Sequence, residues 1–502
     1  MNLAKVTTQA LSGINALPVT VEVHISSGLP ALSMVGLPEA AVRESKDRVR
    51  AAIINSYFEF PARRITVNLA PADLPKDGGR YDLPIALGIL AASGQIPVES
   101  LNGLEFHGEL ALGGELRPVS GALPIAISAR NQGRTLVMPL KSAQQAALVK
   151  DVKIYQAEHL LEICRYLQKQ GELSSPEITP QHEISHPLDM ADVRGQHHAR
   201  RALEIAAAGK HNVLMIGPPG TGKTMLASRL PGILPPMDEA EALESASINS
   251  ISNHGFNIQH WKIRPFRTPH HTASGVALVG GGSTPKPGEI SLAHRGVLFL
   301  DELTEFDRRV LDVLREPLET GTITISRAAR QADFPARFQL IAAMNPCPQG
   351  YSCDGKSQCQ CTSEQQKKHR ARISAPLLDR IDMHIDVPRI ALEALRESGQ
   401  HSETSAQIRQ RVVMAHQIQL HRCGLSNADL SSKQVERYCK LGKAESQLLE
   451  QVLEKLKLSA RAYHRILKLA RTIADLDDST DINQQHLTEA ISYRSLDRLI
   501  SN

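Results

Sequence analysis

The octapeptide GPPGTGKT lies between the apolar run NVLMI and the run MLASRL, which has helical character. Glycines at this spacing let successive backbone N–H groups face a phosphate, and the helix that follows adds the positive end of its dipole. Its lysine brings a cation to the outer phosphates, and its last threonine offers a hydroxyl to Mg²⁺. The sequence therefore predicts a site for ATP and Mg²⁺ at Gly217, Pro218, Pro219, Gly220, Thr221, Gly222, Lys223 and Thr224.

Two further apolar runs end in polar residues. VLFL is followed by Asp301 and Glu302, and FQLIAAM is followed by Asn345. Runs of this kind are typical of buried parallel strands, and ligands bind at the carboxyl ends of such strands. We expect Asp301 to hold Mg²⁺ through water and Glu302 to polarise the attacking water. Asn345 can orient that water or the γ-phosphate, although an Asn-Pro turn is the alternative interpretation.

Four of the seven cysteines fall within a fifteen-residue segment that begins shortly after the third run. Their spacing is C-x5-C-x5-C-x-C, and they are Cys347, Cys353, Cys359 and Cys361. Four thiolates so close together can bind Zn²⁺ tetrahedrally, which predicts a structural zinc site. His369 can replace one of these ligands, and a loop of reduced, unligated cysteines is the alternative.

The chain must supply the elements that position these residues. Its 502 residues suffice for two or three domains, and 42% hydrophobic with 22% charged residues indicates a globular protein. A net charge of +4 is only mildly basic. No apolar run approaches the ~20 residues that cross a bilayer, and the N-terminus lacks the features of a secretion signal. We expect a cytoplasmic protein without a membrane partner.

The pattern along the chain predicts an α/β multidomain protein. Residues 1–168 alternate strand and helix signals, as in the period-two run from Val19 to Ile25. Residues 169–188 are polar and Pro-rich and predict a linker. Residues 189–389 form an α/β block with the phosphate loop and the cysteine cluster at 347–361, and residues 390–502 show helical periodicity.

The order of these motifs resembles that of AAA+ ATPases, with a P-loop α/β core and a C-terminal helical lid. In that resemblance Val193, within DVRGQ, lies at the adenine, and Asn345 is the first sensor. Arg380, in SAPLLDRIDMHIDV, matches the arginine finger of the magnesium-chelatase branch, and Arg461 matches the second sensor. A finger comes from a neighbouring subunit, which implies a ring, a homohexamer. Surface ion pairs are the alternative for both arginines.

The N-terminal stretches LPKDGGRYDLPIAL and HGELALGGELRPVSGAL resemble the Lon-protease (S5-type) α/β domain. The position of the Lon serine nucleophile is Arg80 here, and that of its lysine base is Leu123. Because a nucleophile needs a nearby base, the resemblance excludes proteolysis. We expect instead a basic face formed by Arg63, Arg64, Lys76 and Arg80, with solvated surface arginines as the alternative.

Long runs such as GLPALSMVGLPEAAVRESKDRVRAA and PLLDRIDMHIDV resemble the ComM (YifB) family over essentially the full length. The resemblance implies a hexameric ATP-dependent DNA helicase that promotes branch migration of recombination intermediates in natural transformation. Its implied partners are single-stranded and branched DNA and a RecA-type recombinase. The alternative is a protein-remodelling ATPase of the magnesium-chelatase type, because the motor fold alone does not fix its substrate.

Two segments of the core are candidates for contact with DNA. A Gly-, His- and Thr-rich insertion containing Lys286 precedes Asp301, and a predicted hairpin with Arg327 and Arg330 near its tip follows. In the relatives both segments face the pore and touch DNA, and arginines without neighbouring aromatic residues suit phosphate contacts that ignore sequence. A solvated hairpin is the alternative. For the pair His270 and His271 a structural turn is favoured over ligand binding.

Overall fold

The computed structural model describes residues 2–36, 40–74, 76, 78–177, 188–253, 255–282, 285–327, 330–349, 361–389, 403–456 and 459–494. Side chains at 40–43, 327, 330 and 456 lie outside that description. The chain divides into two compact units. The first comprises Met1–His182, Ala242–Trp261 and Ser326–Phe334, and the second comprises Glu183–Glu241, Lys262–Ile325 and Pro335–Asn502. The domain boundaries that the sequence suggests stay predictions.

The first unit is built on a mixed sheet of seven strands in the order β3-β4-β2-β1-β5-β8-β9. Its strands are β1 (Leu3–Ser12), β2 (Asn15–Ser26), β3 (Ala31–Val35), β4 (Arg64–Ala70), β5 (Leu104–Phe106), β8 (Thr135–Pro139) and β9 (Ile154–Ala157), with a separate pair β6 (Glu109–Leu110) and β7 (Leu116–Arg117). Its helices are α1 (Ala40–Asn55), α2 (Asp82–Ala92), α3 (Ala122–Gln132), α4 (Leu140–Ala146) and α5 (Leu160–Leu167). The alternating residues Val19, Val21, Val23 and Ile25 are buried, as period two predicts.

The prediction of a basic face on this unit is wrong for two of its four residues. Arg63 and Arg64 are exposed, but Lys76 is fully buried and Arg80 is only 8% exposed. The ammonium of Lys76 donates to the backbone carbonyls of Pro71 and Leu74, and burial lowers its pKa. Arg80 lies in the short turn Gly79–Tyr81, which leads directly into the buried helix α2.

The second unit contains a five-stranded sheet in the order β11-β14-β17-β10-β18. Its neighbouring strands all run parallel. The strands of the sheet are β10 (Val213–Ile216), β11 (Phe266–Arg267), β14 (Val297–Leu300), β17 (Gln339–Met344) and β18 (Met383–Asp386). The short pair β12 (Gly280–Gly281) with β13 (Lys286–Pro287) also belongs to this unit, whereas the residues of the pair β15 (Thr322–Arg327) with β16 (Arg330–Pro335) are divided between the two units. The α/β class and the pairing of β15 with β16 are confirmed.

Helices cover this sheet and then form the C-terminal segment. Those of the core are α6 (His197–Gly209), α7 (Lys223–Arg229), α9 (Gly275–Val279), α10 (Glu289–Leu292), α11 (Arg308–Asp312), α12 (Arg315–Thr320), α13 (Ser363–Arg370) and α14 (Ala375–Leu378), while α8 (Glu239–Ser250) begins in this unit and lies mostly in the first. Those of the C-terminal segment are α15 (Ser405–Cys423), α16 (Ser432–Tyr438), α17 (Lys443–Leu456), α18 (Ala460–Leu476) and α19 (Gln484–Ser492). The helical tail is confirmed. No described helix is long and apolar enough to cross a membrane.

A buried polar network joins the C-terminal helices to the core sheet. Asp382, just before β18, receives Arg465 of α18 at 2.6 Å and the backbone N–H of Asn212 at 2.9 Å. His211 lies 3.7 Å from the same carboxylate and 2.8 Å from Thr472 of α18. Burial by itself raises the pKa of Asp382, but the charge of Arg465 and the bonds from His211 outweigh it and hold this pKa well below its usual range. The carboxylate therefore stays ionised within the fold.

Replacing Asp382 with alanine should destabilise the second unit by about 3 kcal/mol, because it leaves the Arg465 guanidinium in a largely buried site without its partner. Thermal unfolding followed by circular dichroism measures this loss. Asp379→Ala is the matched control, since Asp379 pairs with the exposed Arg461 at 3.8 Å and exposed pairs are worth at most about 1 kcal/mol. Equal losses of stability in the two variants would show that the buried network contributes no more than an exposed ion pair.

Candidate nucleotide site

The phosphate loop depends on glycine at three positions. A Cβ on Gly217 would lie 2.2 Å from the carbonyl oxygen of Val387, so no side chain fits there. Gly220 and Gly222 have φ angles of 77° and 89°, which glycine adopts without strain. The turn that they make leads directly into α7, whose first residue is Lys223. The loop therefore has the strand–loop–helix arrangement that the sequence predicts.

Lys223 is 8% exposed, and its ammonium makes three hydrogen bonds. Nζ donates to the carbonyls of Gly217 at 2.7 Å and Pro218 at 2.9 Å, and to Oδ1 of Asn345 at 3.2 Å. Burial lowers the pKa of Lys223, while the negative charges of Asp301 and Glu302 oppose this shift. The structure thus places three predicted site residues, Gly217, Pro218 and Asn345, around the ammonium group of a fourth, Lys223.

Thr224 and Asp301 form a pair of oxygen ligands. The Thr224 hydroxyl donates to the Asp301 carboxylate over 2.6 Å, at the meeting of α7 and the end of β14. Hard oxygen donors are those that Mg²⁺ prefers, and one or two protein oxygens with phosphates and waters complete its shell. The residues therefore fit a magnesium ion held with the phosphates of ATP.

Glu302 is exposed and has a φ of 52°, a left-handed conformation that is uncommon outside glycine. Its carboxylate Oε2 lies 3.1 Å from Nδ1 of His271. From the sequence, His271 is expected only in a turn or as a ligand, because spacing along the chain does not reveal that β11 and β14 are neighbours. The order of the strands in the sheet places His271 close to this carboxylate.

Asn345 lies at the end of β17, next to β10 in the sheet. Its side chain accepts from Lys223, and its backbone carbonyl lies 3.2 Å from Nε2 of His369, which is buried. Burial lowers the pKa of His369, which favours a neutral imidazole. Asn345 is therefore held both at its side chain and at its backbone carbonyl.

Beside the loop lies a cavity of about 370 Å³. Val193, predicted at the adenine, lines it together with Gly220 and Met225. Gln196 fixes its rim, because its amide donates to the carbonyls of Thr221 at 3.3 Å and Pro388 at 2.7 Å. Arg389 also lines the cavity and was missed from sequence, since it follows β18 rather than any recognisable motif.

The predicted arginine finger Arg380 and the predicted second-sensor residue Arg461 line a different cavity, of about 540 Å³. Arg380 donates to the carboxylate of Glu319 and, at 2.7 Å, to the carbonyl of Pro376. Arg461 approaches Asp379 at 3.8 Å. No described residue lines both this cavity and the one beside the phosphate loop.

The sheet separates these two cavities. The phosphate loop follows the carboxyl end of β10, whereas Asn212, which precedes β10, lines the cavity of Arg380. The four residues of β10 span about 13 Å. Arg380 therefore faces away from the phosphates bound by its own chain.

Only part of the cysteine cluster can be placed. Cys347 is buried and Cys361 is half-buried, while Cys353 and Cys359 lie outside the described residues. Among the residues that the structure describes, no group of three or more His, Cys, Asp or Glu side chains is arranged to hold a metal ion. The zinc site stays a prediction without support from this structure.

The predicted DNA contacts lie on the two small strand pairs. Lys286 is exposed at the start of β13. Arg327 ends β15 and Arg330 begins β16, and their side chains lie outside the described set. Their role in DNA binding stays a prediction.

Three family models match consecutive parts of the chain. Residues 189–395 match "Magnesium chelatase, subunit ChlI", residues 21–142 match "Subunit ChlI of Mg-chelatase", and residues 402–494 match its C-terminal part. This AAA+ family supports an ATPase that uses ATP and Mg²⁺, in agreement with the geometry around Lys223.

Full-length relatives are more similar still. The competence protein ComM of Haemophilus influenzae is 52% identical over 100% of this chain and 99% of its own length. YifB of Escherichia coli is 51% identical over 100% of this chain and 98% of its own length. The magnesium-chelatase subunit ChlI of Olisthodiscus luteus is 25% identical over 34% of this chain and 54% of its own length. The chain therefore belongs to the ComM (YifB) family of magnesium-chelatase-like AAA+ proteins.

Proposed function

We propose that this protein is an ATP-driven DNA motor, a homohexameric helicase that promotes branch migration of recombination intermediates during natural transformation. The observation that supports the proposal concerns the predicted ATP site. Lys223, Asp301 and Asn345 lie together there, whereas Arg380, the proposed arginine finger, lines a cavity at the other end of the sheet. Such a site is completed by a neighbouring subunit, and a closed ring completes every site in turn. Single-stranded and branched DNA and a RecA-type recombinase are the proposed partners.

Each residue of the site has a distinct task. Mg²⁺ bound with ATP supplies positive charge at the outer phosphates. Lys223 exchanges its carbonyl partners for phosphate oxygens, and Thr224 and Asp301 hold the metal. Glu302 orients and polarises the attacking water, while Asn345 fixes its position. Arg380 of the neighbouring subunit stabilises the negative charge that develops on the transferred phosphoryl group.

The assignment of DNA as the substrate rests on two features. Lys286, Arg327 and Arg330 lie on short strand pairs of the core, and contacts from such cations to phosphates need no base sequence. The Haemophilus influenzae relative is named a competence protein, and competence is the uptake of DNA. The magnesium-chelatase match alone does not distinguish a DNA motor from a protein-remodelling ATPase.

A synthetic three-strand junction tests the proposal. Wild-type protein with ATP should move the branch point and release the displaced strand, and Lys223→Ala should not. Exchanging both Arg327 and Arg330 for alanine should weaken DNA binding and lower the slope of log affinity against log salt by about two. Junctions that stay in place while wild-type protein hydrolyses ATP without responding to DNA would instead favour protein remodelling.

A further inference from the structure

The hairpin that carries Arg327 and Arg330 has its base in the second compact unit and its tip in the first. The tip, Ser326–Phe334, is grouped there with Met1–His182. A two-stranded hairpin by itself is only marginally stable in water, so its tip needs support from other parts of the chain. The N-terminal residues that contact the tip are therefore candidates for that support.

Strands β1 and β2 form an arm that ends in a tight turn. They pair along all ten residues of β1, and the last pair joins Ser12 to Asn15. β4 pairs with β2 only as far as Thr20, so the end of the arm extends beyond this neighbouring strand. The turn has two residues, and Gly13 at its first position has a φ of 58°, which glycine adopts without strain.

The turn of the arm lies against β16 of the hairpin. A Cβ on Gly13 would be 3.5 Å from the Cβ of Ala332 and 3.7 Å from the backbone carbonyl oxygen of Asp333. The space between the turn and the strand therefore holds about one methyl group. A larger side chain at Ala332 must push the turn and the hairpin apart, because a filled contact of this kind does not accept further carbon atoms without a shift.

Helix α3 supports the arm close to its turn. A Cβ on Gly121, the residue before α3, would lie 2.5 Å from Cδ1 of Leu11 in β1, so the start of the helix packs closely on the arm. The backbone N–H of Gly121 also donates to the carbonyl of Ser250, the last residue of α8, at 3.1 Å. Gln145 of α4 donates to the carbonyl of Phe256 at 2.7 Å. The arm is thus anchored in the same framework that holds a second segment of the core.

We infer that the β1–β2 turn is a brace that positions the hairpin tip for contact with DNA, and that residues 1–182 serve the motor in this way. The inference deepens the proposed function and rests on it for DNA as the ligand. A DNA strand that moves past the protein pulls on the side chains that hold its phosphates. A tip held against the anchored arm keeps Arg327 and Arg330 in place under that load. The turn acts through β16 and is a positioning element.

The first test measures binding of single-stranded DNA to the full-length protein by fluorescence anisotropy at several salt concentrations. Ala332→Leu should displace the tip and weaken binding about tenfold, with a lower slope of log affinity against log salt. Its ATP hydrolysis without DNA should stay at the wild-type rate, which also shows that the protein is folded. Ala332→Ser keeps a small side chain at the contact and should bind DNA like the wild type.

Gln331→Leu is the matched control for Ala332→Leu. Neighbouring residues of a strand face opposite sides, and Gln331 is exposed, so the same leucine is placed there away from the turn. This variant should bind DNA with wild-type affinity. Wild-type affinity in Ala332→Leu would overturn the inference and leave the DNA motor intact. Equal losses in both leucine variants would also overturn it, because the contact with the turn would then have no special effect.

A disulfide tests the contact without relying on DNA. The distance of 3.5 Å between the two Cβ positions lies within the range for a disulfide, so the double variant Gly13→Cys, Ala332→Cys should cross-link under mild oxidation. Gly13→Cys alone controls for the strain of a side chain at this positive φ, and Ala332→Cys alone controls for the new thiol. A double variant that does not cross-link would overturn the inference.

The cross-linked protein should bind DNA and move a three-strand junction as well as its reduced form, because the brace and the tip already stay together. Loss of DNA binding on oxidation, restored by reduction, would overturn the inference, since the tip would then have to leave the turn. A cross-link that forms readily while the wild type binds no DNA would refute the proposed function and not the contact between the turn and the hairpin.

Discussion

Lys223→Ala should reduce ATP hydrolysis by about 100-fold or more while the protein remains folded. The side chain contributes the one buried ammonium at the loop, where it bonds to Gly217, Pro218 and Asn345. Alanine leaves the outer phosphates without that cation, and Asn345 loses the donor that holds its amide. Phosphate release under saturating ATP measures the effect.

The control for this variant is Lys440→Ala, which removes an exposed lysine of the same unit. It should hydrolyse ATP at the wild-type rate. Near-normal turnover by Lys223→Ala, with the fold verified by circular dichroism, would remove the phosphate-loop assignment.

Arg380→Ala should lower hydrolysis by about 1,000-fold, the effect of losing an arginine finger, with little change in ATP binding. The guanidinium lies beyond β10 from the loop of its own chain, so it can act only on the ATP of a neighbour. Mixing makes this testable. Arg380→Ala subunits keep an intact loop, and Lys223→Ala subunits keep an intact finger.

An equal mixture of the two inactive variants should therefore regain activity. If subunits exchange freely, roughly a quarter of the interfaces combine an intact loop with an intact finger. Arg309→Ala, at an exposed arginine of α11, is the control for Arg380→Ala and should remain active alone. A mixture as inactive as its components would show that Arg380 does not act between subunits.

Local sequence patterns predicted the strands and the loop because their signals lie within a few residues. The run VLFL and the alternation at Val19–Ile25 each report burial directly. Lys76 and Arg80 were wrongly expected at the surface, because charge normally indicates exposure and only the tertiary fold shows that they are enclosed.

Contacts across the sheet were beyond prediction for the same reason. His271 meets Glu302 only because β11 lies next to β14. Glu319 contacts Arg380, which lies 61 positions further along the chain, and no spacing rule connects them. The residues of the phosphate loop can therefore be recognised from a short stretch of sequence. The partners of the side chains around the loop depend instead on the order of the strands in the sheet.

The hydrogen bonds of Lys223 also set which molecules can enter the loop. Before ATP arrives, the ammonium is already satisfied by two carbonyls and an amide. A ligand must replace the two carbonyls, and only a group rich in negatively charged oxygens forms hydrogen bonds with the ammonium that are stronger than those it loses. Adenosine, which carries no phosphate, offers the ammonium no negatively charged oxygens. The loop therefore selects its ligand by charge, and it favours a triphosphate over an uncharged nucleoside.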